Sequence, residues 1–131
     1  MKIKRIVVHC SDSPHRRDKA ETIHAWHLTR GWSGIGYHWV IQEDGTVEAG
    51  RPEYWTGAHV KNYNTGSIGI CLFGVSYFTE DQFESLDLLI RQILERHSEV
   101  EDICGHCDLD QNKTCPNFDV KKWLKKRGIN Y

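Results

Sequence analysis

The chain has 131 residues, 27% of them charged and 39% apolar, with a formal net charge of −1 at neutral pH. That length suits one domain around a single core, and that balance excludes a disordered or membrane-spanning class. It also gives no global pull toward nucleic acid or anionic surfaces.

Ile3, Ile6, Val7 and Val8 form a β-branched run that predicts a buried strand over 3–9, leaving through the loop His9-Cys10-Ser11-Asp12-Ser13-Pro14. Basic residues precede the run, but His9 breaks it before a signal-peptide core forms. The chain is therefore expected to be made in the cytoplasm without an export signal. Asp18-x-x-Glu21 reads as a capping box for a helix at about 19–30, stopped by Gly31. Ile35 to Gln42 and Val47 to Ala49, joined through Asp44-Gly45, predict a β-hairpin. Residues 50–66, rich in Gly, Asn and aromatics, predict a long surface loop of the kind that carries function.

Ser67 to Phe73 predicts another strand, in which Gly69 signals the close approach of a neighbour. Thr79-x-x-Gln82 caps a helix with Phe83, Leu86, Ile90, Ile93, Leu94 and His97 along one face. Val100 to Cys104 follows as a short strand. A last helix opens at Asp119 and runs through Arg127, with Val120, Trp123 and Leu124 inward and Gly128 ending it. Its residues Lys121, Lys122, Lys125, Lys126 and Arg127 read as a solvated face.

Mixed strands and helices with one hairpin predict a single α/β domain over 1–131, a central mixed β-sheet flanked by helices. If the first strand and the strand at 100–104 run parallel, His9 and His106 emerge together at C-terminal strand ends, where α/β sheets place their sites.

The segment Ile103 to Pro116, ICGHCDLDQNKTCP, concentrates three of the five cysteines beside a histidine. An odd cysteine count argues against a disulfide framework and for thiols that are buried, metal-bound or catalytic. A redox Cys104-x-x-Cys107 pair needs a helix starting at its first cysteine, and the polar residues after Cys107 have no helical period. A zinc knuckle of Cys104, Cys107, Cys115 and His106 is a rival, although His106 interrupts the usual ligand alternation. The third reading joins His106 and Cys115 to His9, three ligands with the fourth tetrahedral position left open, as in catalytic zinc sites.

Several segments, in order, resemble the zinc-dependent N-acetylmuramoyl-L-alanine amidases, the family of amidase-type phage lysozymes and animal peptidoglycan recognition proteins. They are Val7 to Ser11, Gly34 to Ile41, Asp44 to Arg51, Gly57-Ala58-His59, Tyr63-Asn64, Ser67 to Leu72, Gly105-His106 and Lys113 to Pro116. The resemblance implies that His9, His106 and Cys115 hold Zn2+, that Tyr37 places its hydroxyl beside the reactive water, and that Lys113 lies near the substrate carbonyl. A glutamate that serves as base in another branch is replaced here by Cys71. The implied reaction is hydrolysis of the amide between N-acetylmuramic acid and L-alanine in peptidoglycan, as in a phage or prophage endolysin that reaches the wall through a phage pore or another export route.

His59 and Asn64, in the long loop, are expected as substrate contacts, with loop scaffolding as the alternative, and His38 as a structural residue. The expected partner is peptidoglycan, with no nucleic acid, no membrane insertion and a monomeric state. The sequence is also compatible with three other readings: a wall-recognition module without activity, a cysteine hydrolase, and a zinc-stabilised nucleic-acid module. The first conflicts with the presence of Cys115, since such receptors typically lose that ligand.

Overall fold

The computed structural model describes residues 2–11 and 36–131, and the helix expected at about 19–30 lies outside them. Among the described residues, five strands form one sheet: β1 (Arg5–Cys10), β2 (Trp39–Ile41), β3 (Val47–Ala49), β4 (Ser67–Leu72) and β5 (Asp102–Gly105). Their order is β3-β2-β4-β1-β5. β1 runs parallel to both β4 and β5, β2 runs parallel to β4, and only β3 is antiparallel to its neighbour. The sheet is thus mixed, with the hairpin strand β3 at one edge and β5 at the other.

Two α-helices are described, α1 (Glu80–Arg96) and α2 (Val120–Lys126). Strand alternation decides what they cover. Ile6, Val8 and Cys10 of β1 join Ile41, Ile68, Ile70, Leu72 and Ile103 in one cluster, which also takes Leu86, Leu89, Ile90 and Ile93 of α1 and Val120 and Leu124 of α2. Both described helices therefore seal one face, where each fully buried aliphatic side chain contributes about 1.5–3 kcal/mol. Val7, Val40, Cys71 and Cys104 belong to clusters separate from this one, on the other side of the pleat. His9 follows Val7 by two residues and shares that second face.

α1 begins as its sequence requires. Gln82 N–H donates to Thr79 Oγ1, and Thr79 N–H donates to Gln82 Oε1, which closes the capping box. The same glutamine is buried and donates through Nε2 to the carbonyls of Ile41 and Phe73 at 3.2 and 2.8 Å, fastening the helix start to the ends of β2 and β4. Thr79 and Ser85 hydroxyls donate to the carbonyls of Glu43 and Gly45, so the hairpin turn is held against the helix as well. Gly45 has φ of 89°, the left-handed conformation that an Asp-Gly turn supplies.

The face read as solvated on the last helix differs from that reading at two positions. Lys121 Nζ donates to Asp102 at 2.6 Å, and Arg127 pairs with Glu80 and Glu84 of α1. These ion pairs join elements far apart in sequence, which no local pattern could indicate. Asp102 also accepts from Arg5 Nε at 3.1 Å, so one carboxylate ties the start of β1, the start of β5 and α2 together.

Burial alone would push the Asp102 carboxyl up, but the hydrogen bonds from Lys121 and Arg5 outweigh it and hold the group below its ordinary value of 3.8. A carboxyl more acidic in the folded than in the unfolded chain stabilises above the unfolded value, and that contribution is lost as pH falls through the folded value. Asp102→Asn is expected to lower stability by about 1 kcal/mol at neutral pH. In chelator-treated protein, the difference in melting temperature from the wild type should persist above about pH 5 and shrink on acidification.

Candidate metal centre

The site follows from strand register. Arg5 pairs with Asp102 and Val8 with Gly105, so the next residues on each strand, His9 and His106, stand level at the C-terminal edge. There β5 gives way to a single 3-10 turn, His106–Asp108, steadied by a hydrogen bond from Gly105 N–H to Asp108 Oδ2 at 2.8 Å. Gly105 is required here, because a Cβ would meet Pro116 Cδ at 2.9 Å and Val120 at 3.2 Å. The chain then loops back, and Cys107 N–H donates to the Cys115 carbonyl at 2.8 Å. That return brings the Cys115 thiol to the end of β1, where Cys10 N–H donates to its Sγ at 2.8 Å.

The outcome is a cluster of His9, His106 and Cys115 whose donor atoms all lie within 4.8 Å of one another, the only such group among the described residues. His9 Nδ1 and His106 Nδ1 are 3.2 Å apart. Two imidazole nitrogens bound to one tetrahedral zinc at its usual bond length are separated by about 3.3 Å. His9 is buried, whereas His106 and Cys115 are partly exposed, so the cluster opens to solvent on one side.

The electrostatics suit a cation. Burial, then the neighbouring His59 and His106, hold the His9 pKa well below its usual value, and burial lowers that of His106. Both rings are therefore neutral, the form that offers a lone pair to a metal. The Cys115 thiol is pushed up by its hydrogen bond with Cys10, by burial and by the nearby Cys71. A divalent ion supplies the charge that deprotonates such a thiol, and the backbone N–H of Cys10 is already aimed at the sulfur. Two neutral imidazoles and a thiolate with one open side match the donor set of zinc.

The competing readings of the motif are not assembled. Cys104 is buried and its thiol pushed up to about 12, chiefly by burial, and Cys107 is shifted in the same direction. No helix starts at Cys104, so the dithiol reading lacks the dipole it needs. Neither cysteine joins the donor cluster, which leaves the knuckle reading without its ligands.

Tyr37 lies at the same edge, its ring 5.1 Å from that of His9 and packed against Val40, Cys71 and Phe73. Burial, then the surrounding thiols, raise its pKa well above 10.0, so its hydroxyl is a neutral donor. Lys113 is exposed on the returning loop, close enough for its charge to lower the His106 pKa.

A strand from Ile35 to Gln42 would turn Tyr37 and His38 to opposite faces. β2 begins only at Trp39, so alternation does not govern them, and both rings sit in one aromatic group with His9 and His59. His38 is held by backbone at both ring nitrogens, for a reason other than strand alternation: Nδ1 accepts from Gly69 N–H at 3.0 Å and Nε2–H donates to the Trp55 carbonyl at 2.8 Å.

His59 and Asn64, expected as substrate contacts with loop scaffolding as the alternative, are both engaged by the protein itself. His59 is buried, with Nδ1 2.8 Å from His9 Nε2 and Nε2 3.1 Å from Ser67 Oγ, which leaves neither ring nitrogen for a substrate. Its pKa falls to about 3, mainly through burial. Asn64 Oδ1 accepts from the backbone N–H groups of His59 and Val60, so this side chain shapes the loop. Ser67 and the backbone of Cys10 contribute to the site without having been singled out from sequence. Gly69 was the available signal, since the neighbour it admits is the His59 ring.

Comparison with known proteins agrees with this geometry. A family model described as N-acetylmuramoyl-L-alanine amidase matches residues 1–118. The chain is 41% identical over 133 residues to an endolysin of Enterobacteria phage T3, an alignment covering 95% of this chain and 87% of the phage protein. Among solved structures, the N-acetylmuramoyl-L-alanine amidase LysC from Clostridium intestinale matches with a TM-score of 0.89 at 33% identity, over 98% of this chain and 87% of that one. Drosophila PGRP-LB shares the fold, with a TM-score of 0.84 at 22% identity over 99% of this chain and 84% of its own. With a family model spanning most of its length and a phage relative this similar, the chain belongs to the N-acetylmuramoyl-L-alanine amidase family.

Proposed function

We propose that the edge formed by His9, His106 and Cys115, with Tyr37 and Lys113 beside it, hydrolyses the amide between the lactyl group of N-acetylmuramic acid and L-alanine in bacterial peptidoglycan. The observation that carries this reading is the donor cluster itself, open on one side, in a chain matched by the amidase model over residues 1–118. Zinc held there supplies the chemistry that a neutral amide needs, acidifying water toward neutral pH and drawing charge from a carbonyl oxygen.

The protein's own groups do the remainder. His9 and His106 present neutral nitrogens, and Cys115 presents sulfur steadied by the Cys10 N–H. Lys113 Nζ supplies positive charge toward the carbonyl oxygen as negative charge gathers on it. Tyr37 Oη, neutral and half-buried, donates a hydrogen bond that orients the attacking water or passes a proton to the departing L-alanine nitrogen. Water adds to the carbonyl carbon, the carbon–nitrogen bond breaks, and the products are a lactyl carboxylate and a free amino terminus.

A thiol nucleophile is disfavoured by the same electrostatics, since the thiols of Cys71, Cys104, Cys107 and Cys115 are all shifted up rather than down. The biological setting we propose is that of an endolysin, made inside a bacterial cell and acting as a monomer on the wall once it is released. It rests on the likeness to the phage T3 protein and on the single-domain reading of residues 1–131. No helix among the described residues is long and apolar enough to cross a membrane.

Purified cell walls incubated with zinc-loaded protein should lose turbidity and release new L-alanine amino termini, and mass spectrometry should find intact lactyl carboxylates. Activity that survives chelation and dies on thiol alkylation would point to the cysteine-hydrolase reading instead. Metal analysis is expected to find one zinc per wild-type chain and little in Cys115→Ser. Tyr37→Phe and Lys113→Ala should keep the metal while each lowers kcat by about 10²-fold or more.

A further inference from the structure

We propose that His59 is a positioning residue that sets the tautomer of His9, so that the bare Nδ1 of His9 faces the metal position before any ion arrives. The proposal rests on the zinc reading of the centre and adds how the protein prepares one of its ligands.

The chain of hydrogen bonds favours one placement of protons, the one that keeps the Ser67 hydroxyl hydrogen on a carbonyl. Ser67 Oγ has a single hydrogen and three neighbours: the carbonyls of Tyr63 and Asn64 at 2.7 and 3.0 Å, and His59 Nε2 at 3.1 Å. A carbonyl only accepts, so the nearer pair takes the hydroxyl hydrogen and Ser67 Oγ is left to accept from His59. His59 Nε2 therefore carries a hydrogen. A neutral imidazole carries only one, and a buried ring beside two other histidines is neutral, so His59 Nδ1 is bare. That bare atom lies 2.8 Å from His9 Nε2, which must be the donor. His9 is then bare at Nδ1, the atom 3.2 Å from His106 Nδ1.

Reversing the chain shows what the arrangement prevents. A Ser67 hydrogen given to His59 Nε2 would place hydrogen on His59 Nδ1 and then on His9 Nδ1, pointing N–H at the metal position. It would also take the hydroxyl donor from the Tyr63 carbonyl and leave the Asn64 carbonyl only the longer bond from Ser67 N–H at 3.3 Å. Those two carbonyls, at the far end of the chain, thus decide which nitrogen of His9 can bind a cation.

The ring of His59 is seated with little freedom. A Cβ on Gly69 would come within 2.6 Å of it, and one on Gly57 within 2.5 Å, so the two glycines form a slot that fits the imidazole edge. Asn64 Oδ1 clamps the backbone on either side through the N–H groups of His59 and Val60. Metal-bound histidines generally donate their second nitrogen to a carboxylate, carbonyl or water; an imidazole in that place fixes the ring without adding charge.

The test compares zinc affinity, measured by chelator competition, in wild type, His59→Leu and His59→Asn, together with histidine tautomers read by nitrogen NMR on the metal-free wild-type chain. His59→Leu keeps bulk but accepts nothing and is expected to lose about 10–100-fold in affinity. His59→Asn places Oδ1 where Nδ1 stood and should recover most of that loss. Both His9 and His59 of the wild type should carry hydrogen at Nε2.

An Nδ1–H signal on either ring overturns the proposal, even if the variants fail to fold. So does a folded His59→Leu variant with wild-type affinity, or an Asn variant as weak as the Leu one. A wild-type chain that takes up no zinc would sink the metal centre itself, an outcome distinct from tight zinc binding that ignores His59.

Discussion

Parallel pairing of β1 with β5 is the constraint from which the rest of this molecule follows. Because Val8 stands opposite Gly105, the residues leaving the two strands are His9 and His106, and a shift by one position would turn one of the rings to the opposite face of the sheet. The register is held at the other end by Asp102, which accepts from Arg5 on β1 and from Lys121 on α2. Stability and site geometry are thus coupled through one pair of strands.

The two faces of the sheet carry different burdens. One is a mainly aliphatic layer under α1 and α2 that also holds Phe78, with Cys10 the only ionisable group among its fully buried members and Cys115 packed at its margin. The other buries His9, His38 and His59, polar rings that would each be destabilising without partners. Every ring nitrogen of these three has one: a backbone group, a hydroxyl or another imidazole. No buried side-chain nitrogen or oxygen among the described residues is left unpaired. Glycine makes this possible, since Gly57 and Gly69 yield the volume that the His59 ring occupies.

Chemically, the centre is a set of groups arranged for a charge they do not themselves carry. Neutral imidazoles and a thiol surrounded by other thiols gain from a cation and lose without one. Membership of the amidase family and this local demand for a cation point in the same direction.

The strands, the capped helix at Thr79 and the hairpin turn at Asp44-Gly45 were all legible from the chain, because periodicity and capping act over a few residues and leave local patterns. The three metal-site residues were legible too, partly from strand-end placement and partly from the ordered resemblance to a family. What the sequence could not convey was the direction of each ring. His59 and Asn64 sit in a loop without periodicity, and only folding shows His59 turned inward onto His9 and Asn64 bonded to its own loop. Tyr37 and His38 escaped the strand alternation because β2 starts after them. By itself the sequence determined which residue types stand at which strand ends; tertiary structure decided which nitrogen faces which neighbour, because hydrogen bonds between residues 50 or 97 positions apart exist only once the sheet has formed.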